Sequence, residues 1–218
     1  MNFHLPSDSD LFQGISMEDS ESMLGCLSPV LKKFEKEEYV FYAGSTIRTA
    51  GLILKGAVHI IKEDLWGNKR IMETAGPGQL FGEAYACMQT EALLISVVTA
   101  EKSEILFLDI NRILTTCPTA CAFHTRLIRN LLSVMAEKNL TLTRKLDHIT
   151  QKSTREKVMA YLSFQASSQH THTFTIPFNR QQLADYLSVE RSALSAELSK
   201  MQADGLILYH KNEFTILL

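Results

Sequence analysis

The chain has 218 residues, long for one domain and comfortable for two small ones. At 45% hydrophobic and 21% charged it has the composition of an ordinary globular protein, which sets aside the disordered classes. The net charge of −2 excludes nucleic-acid binding through bulk charge, so any such contact has to come from a local patch.

The start, MNFHLPSDSD, lacks a charged segment followed by an apolar run, so no signal peptide is expected. No apolar stretch approaches the length of a membrane span, which predicts a cytoplasmic protein with no membrane partner. In that compartment Cys26, Cys87, Cys117 and Cys121 are expected to be reduced thiols.

Ser16-Met17-Glu18-Asp19 predicts the start of a short helix running to about Leu27, with Pro29 soon after. From Phe34 the texture changes to short segments rich in β-branched and aromatic residues, at 34–43, 51–63, 69–75, 93–100 and 104–109. Ala43-Gly44-Ser45, Gly56, Trp66-Gly67-Asn68 and Gly76-Pro77-Gly78 separate them, and Trp66-Gly67-Asn68 is expected to turn a hairpin. Many short strands at this spacing predict a sandwich or barrel, not a parallel sheet with crossover helices.

Residues 119–149 contain no Gly or Pro and read as one long helix. Cys121, Ile128, Met135, Leu142 and Ile149 recur every seven residues, with Leu131 and Leu146 nearby. Such a seam predicts either two copies meeting or one helix lying on its own barrel. A helix of roughly 30 residues spans about 45 Å, more than one small domain, which favours a dimer through Ile128, Leu131, Met135 and Leu142. Lys138 and Asn139 interrupt the companion positions.

The chain restarts with the capping-box pattern Ser153-Thr154-Arg155-Glu156, and the helix continues through Val158, Leu162 and Phe164. A polar loop at 167–173 and a strand at 174–178 lead into NRQQLADYLSVERSALSAELSKM, residues 179–201. Asn179 and Gln182 form a capping box for a helix whose apolar edge is Leu183 and Leu187. Ser188 is expected to cap a second helix, in which Leu194, Leu198 and Met201 pack inward and Gly205 provides the stop. Ser192, Ser195 and Ser199 lie on the opposite side with Arg191. A small, hydroxyl-rich face beside one arginine suits the DNA major groove, where a guanidinium bonds the O6 and N7 of guanine. The competing reading is a helix pair whose polar face is only wet. Segments 206–210 and 213–218 predict a hairpin, so helix, strand, two helices and hairpin make a winged helix-turn-helix.

Two other chemistries compete with this one. Cys117, Cys121 and His124 can share a helix face, which would suit a metal or redox sensor, yet a structural site takes four ligands and free thiols are common packing residues. A cupin-type barrel enzyme needs several converging histidines, and between residues 34 and 110 only His59 is present. No catalytic residue and no metal site is therefore assigned.

The order of barrel, long helix and winged helix-turn-helix resembles the CRP/FNR family of bacterial transcription regulators. The most specific matches are Gly44, Lys55-Gly56-Ala57-Val58, the run Gly76-Pro77-Gly78-Gln79-Leu80-Phe81-Gly82-Glu83, and residues 179–201. In that family the helix-turn-helix sets the second of its two helices into the DNA major groove. The resemblance implies an α+β chain: a double-stranded β-helix (jelly-roll-like β-roll) effector domain at 1–117, a dimerisation helix at 118–149, and a DNA-binding domain at 150–218. It implies a homodimer on a palindrome, with Arg191, Ser192 and Ser195 reading bases and Thr154, Arg155, Gln181 and Ser188 touching phosphates. Ser192 and Ala196 replace the glutamate and arginine of the cyclic-AMP-responsive branch. RNA polymerase is an implied partner. Cyclic-nucleotide binders of the family end the segment after Phe-Gly-Glu in Arg-Ser, whereas residues 84–96 here hold no Arg or Lys. An effector other than cyclic AMP is therefore expected near Phe81, Gly82, Glu83, Tyr85, Met88, Leu93, Leu94 and Arg126. The alternative is that these side chains simply fill the space.

Overall fold

A computed structural model describes residues 5, 9–64, 66–115 and 122–217. The chain divides into two units, one ending at Ala136 and the other beginning at Glu137.

In the first unit a single 3-10 turn, Asp10–Phe12, precedes helix α1, Met17–Leu27. Ser16 caps α1 by accepting the Asp19 N–H, as its sequence suggests. Strands β1 (Val30–Phe34), β2 (Tyr39–Phe41), β3 (Thr49–Lys55), β4 (Val58–Glu63), β5 (Lys69–Ala75), β6 (Leu80–Phe81), β7 (Ser96–Thr99) and β8 (Ser103–Asp109) follow, with α2 (Glu83–Met88) after β6 and α3 (Ile110–Leu114) after β8. They form two antiparallel four-stranded sheets, ordered β1-β8-β3-β6 and β2-β7-β4-β5. This is a jelly-roll-like β-roll: the turn spacing predicts a sandwich or barrel, and the family resemblance implies the β-roll.

Side-chain alternation explains why β8 is apolar at four consecutive positions, Ile105 to Leu108. Ile105 and Phe107 join a cluster with Ile53, Val58, Phe81 and Val97. Leu106 and Leu108 belong to a second cluster with Leu24, Leu27, Leu52, Leu127 and Leu131. Both faces of the central strands are thus covered. The expected strands begin only at Phe34, so β1 is an addition; it pairs along β8 from Val30↔Phe107 to Phe34↔Ser103.

Turns fall where glycine and Asx chemistry put them. Gly56 has φ +83°, and a Cβ there would strike the Ser103 hydroxyl and the Lys102 carbonyl, so only glycine joins β3 to β4. At the β4–β5 hairpin the Asp64 carboxylate accepts the N–H groups of Trp66 and Asn68, each at 2.9 Å.

Helix α4 is continuous over Ala122–Ile149. Its first half sorts into two stripes. Leu127 and Leu131 are buried in the β-roll unit, with Ile128 and Met135 half-buried beside them. The expected seam residue Leu131 is therefore a core residue of its own protomer, a correction that follows from helical geometry: one step along, Leu132 points away and is exposed. Leu140, Leu142 and Leu146 are also exposed. The division between the units falls inside α4 rather than at its end.

The second unit continues with α5 (Thr154–Gln169), β9 (Thr173–Thr175), α6 (Arg180–Leu187), α7 (Arg191–Ala203), β10 (Ile207–His210) and β11 (Glu213–Ile216). The sheet order is β10-β11-β9, which makes β10–β11 the wing of a winged helix-turn-helix. The Ser153–Glu156 capping box is present. Helix α5 outlasts the predicted loop start: Ser167 and Ser168 stay helical, and His170 ends the helix in a left-handed conformation at φ 52°. The strand predicted at 174–178 shrinks, since Pro177 lies within that stretch and has no N–H for a ladder.

Candidate nucleic-acid interface

Helix α6 starts from a reciprocal cap. Asn179 accepts the Gln182 N–H at 2.9 Å, and the Gln182 side chain accepts the Asn179 N–H at 2.8 Å. Leu183, Ala184 and Leu187 are buried. Ser188 does not cap the second helix: it closes the first, in a left-handed conformation with its N–H on Asp185. Glu190 is the N-cap of α7 and makes no side-chain cap. The reason is geometric, because the tight turn takes Ser188 as the αL residue that ends α6, and Glu190 is left immediately before α7.

In α7, Leu194, Leu198 and Met201 are fully buried against Val158, Leu162 and Phe214. That packing turns Arg191, Ser192 and Ala196 outward as exposed residues, with Ser195 half-buried between them. Ser199 is exposed, but its hydroxyl returns to the Ser195 carbonyl at 3.0 Å.

The structure adds a cation that periodicity alone does not reveal. Arg180, in the first turn of α6, lays its guanidinium over the Tyr209 ring of the wing at 5.0 Å. Burial lowers its pKa most, Tyr209 opposes, and the nearby positive Arg191 lowers it further. Arginine keeps its charge regardless, so two like charges stand close on one face, an arrangement that an anion relieves. Beside them runs a cleft of about 570 Å³ lined by Phe178, Asn179, Arg180, Lys211 and Asn212. Lys211 sits at the wing turn with φ 55°.

The expected phosphate contacts behave differently from one another. Gln181 is exposed on α6, its amide donating to Asp185 at 2.9 Å, and Thr154 is half-buried at the start of α5. Arg155 is committed to carboxylates instead: its Nε donates to Glu197 at 2.6 Å and its Nη2 lies 2.7 Å from Asp204. Those two hydrogen-bonded carboxylates raise its pKa. Its geometry is that of a brace between α5 and α7.

The residues expected around an effector differ in their surroundings. Phe81 is packed against Phe41 at 5.7 Å, and Leu93 lies in the cluster of the opposite sheet face. Gly82 adopts φ +75° to start α2, whose buried residues are Glu83 and Ala86. Tyr85 is half-buried and its hydroxyl accepts the Leu94 N–H at 3.4 Å. Met88 is exposed, and Leu94 is 73% exposed. Arg126 donates to the Gly14 carbonyl at 2.7 Å. Six residues of helix are too few to sort a run of apolar residues onto one wall. Burial, and then negative Glu83, raise the pKa of Cys87. Cys117 and Cys121 lie outside the described residues. Among the described residues no three His, Cys, Asp or Glu side chains form a group that could hold a metal.

A sensory β-roll followed by a winged helix-turn-helix defines the class, and sequence comparison supports it. The cyclic nucleotide-binding domain model matches residues 31–119 and the Crp-like helix-turn-helix domain model matches 156–218. The chain belongs to the CRP/FNR family of DNA-binding transcription regulators. The cyclic AMP receptor protein of Thermus thermophilus is 24% identical over 202 residues, covering 91% of this chain and 88% of its own length. The crystal structure of the Thermus thermophilus catabolite activator protein aligns at 22% identity and a TM-score of 0.50, over 96% of this chain and 94% of that one. CprK complexed with OCPA aligns with a TM-score of 0.63 at 16% identity, over 90% and 89% of the two chains. At these identities the structures show a shared fold. No helix among the described residues is long and apolar enough to cross a membrane.

Proposed function

We propose that the chain works in the cytoplasm as a homodimer on a palindromic operator, with Arg191 as the base-reading anchor of each half-site. The observation that carries this reading is the exposed start of α7, where Arg191 lies near enough to Arg180 for their charges to repel, with Lys211 lining a cleft that it shares with Arg180. Arg191 reaches a guanine edge, Ser192 and Ser195 leave room for close approach, and Arg180, Gln181, Thr154 and Lys211 hold phosphates. RNA polymerase is the further partner that family membership suggests.

The dimer forms along the outward stripe of α4. Ile128, Met135 and Leu142 repeat every seven residues, and Leu132, Asn139 and Leu146 repeat in step four residues later. This is an a/d seam with one polar position, of the kind that fixes register. Because Leu142 and Leu146 are exposed in the protomer, a second copy is the natural cover.

The effector is proposed to be a small molecule other than cyclic AMP. Residues 84–96 hold no Arg or Lys to pair a cyclic phosphate. Losing such a partner from a buried site costs about 2–5 kcal/mol.

Selection of operators from random duplexes, followed by titration of Arg191→Ala, tests the assignment. The expected loss is about 1–3 kcal/mol with relaxed preference at one base pair per half-site. Unchanged affinity and unchanged preference would remove Arg191 from the recognition role. Sedimentation at micromolar concentration should show a dimer in the wild type and a folded monomer in Leu142→Glu, whose melting temperature no longer depends on protein concentration.

A further inference from the structure

The last turn of α4 ends inside the DNA-binding unit in a cluster of rings. His148, in that turn, is only 2% exposed. Its ring lies 5.5 Å from Tyr161 edge to face, 5.6 Å from Phe164 and 5.9 Å from Tyr186. Its Nδ1 is 3.0 Å from the Tyr186 hydroxyl. Tyr186 occupies the last turn of α6, next to the residues that turn the chain into α7. On its other side its ring meets Phe178 at 5.0 Å, immediately before the Asn179 cap. Arg144 lies over Phe164 at 5.4 Å and Lys145 over Tyr186 at 5.6 Å.

An apolar residue at 148 would fill the same space. It would give the Tyr186 phenol no partner, and it would leave α4 free to slide against α6. A buried imidazole with one directed hydrogen bond fixes both distance and rotation. We propose that His148 is a positioning residue for DNA recognition: with Tyr186 it latches the end of the long helix to the first helix of the helix-turn-helix, and so sets where α7 is presented. The proposal rests on α4 being the dimer helix, since only then does its last turn relate two recognition helices.

The latch carries its own titration signature. Burial holds the His148 pKa below the ordinary imidazole value, with the Asp147 charge pulling the other way. The groups around it are Asp147, Arg144 and Lys145 on α4, Tyr161 on α5 and Tyr186 on α6. Burial raises the pKa of both phenols, which stay protonated at working pH. The folded-state pKa of His148 is depressed, so the neutral ring contributes fully above the ordinary value of 6.5, and that contribution is lost as pH falls below it.

The test uses the full chain and a selected operator, with His148→Phe, Tyr186→Phe and the double variant. His148→Phe keeps a ring and abolishes both the hydrogen bond and the titration. At pH 7.5 each single variant should weaken operator binding about tenfold, and the double variant should add little, as expected of two residues sharing one interaction. The advantage of wild type over His148→Phe should shrink as pH falls below the ordinary imidazole value of 6.5. Taking the difference between the two proteins cancels every pH-dependent contribution that they share. Additive losses, or an advantage that persists in acid, would overturn the latch. Amide exchange at Tyr186 and Leu187 reads it without DNA: protection should fall in acid in wild type and be low at both pH values in His148→Phe. If no duplex binds wild type but this exchange pattern holds, the DNA reading fails and the latch stands; equal protection in both proteins would refute the latch itself.

Discussion

The β-roll segment after Phe81 and the helix-turn-helix after Asn179 both begin with a turn and a helix start, yet they sort their side chains in opposite ways. Helix α7 runs 13 residues, long enough for Leu194, Leu198 and Met201 to define an inner stripe and leave the rest outside. Helix α2 runs six, and the apolar residues in and after it scatter between the core and open surface. Neighbourhood in sequence becomes neighbourhood in space only where an element is long enough to impose a period. The DNA face inherits its order from α7. The effector segment has no such frame.

The largest effect that can break this contrast is Phe81→Ala. As a fully buried core ring, Phe81 should take about 3–5 kcal/mol of stability from the β-roll, while a transition belonging to the second unit stays put in calorimetry. A loss below about 1 kcal/mol would mean that Phe81 lines open space after all. The brace comes next. Arg155→Ala should cost about 1 kcal/mol or less, since the pairs are partly exposed, and should leave the salt dependence of operator binding unchanged. Lys211→Ala should instead flatten that slope by about one unit, because a phosphate contact releases a counterion. A flattened slope in Arg155→Ala would return that residue to the phosphate contacts. The smallest expected effect is none at all. Millimolar cyclic AMP should leave the melting temperature where it is, because stabilisation follows RT ln(1 + [L]/Kd). A clear rise would mean that the β-roll neutralises a phosphate without a cation in residues 84–96.

What can be read from the residues alone follows the range of the interaction that decides each feature. The caps at Ser16, Ser153 and Asn179 are settled within three residues, and all three form as their spacing suggests. The turn at Trp66-Gly67-Asn68 is equally local, closed by Asp64. Leu131 falls on the seam in a sequence reading because a heptad and a core stripe overlap on one helix, and only the β-roll packed beneath it separates it from Leu132. Arg180 gives no local signal because its partner, Tyr209, is on the wing. Arg155 looks free in the sequence for the same reason, its carboxylates lying on and just after α7.

Those two carboxylates give α7 a property beyond stability. Glu197 is in the middle of the helix and Asp204 just past its end, about two turns apart, and one guanidinium grips both. A rod held at a single point can still roll about its axis; held at two points by one rigid, planar fork it cannot. The azimuth of Arg191, Ser192 and Ser195 is thereby decoupled from what those residues are. Ser192 and Ala196 can then be replaced while the rod keeps aiming the same way.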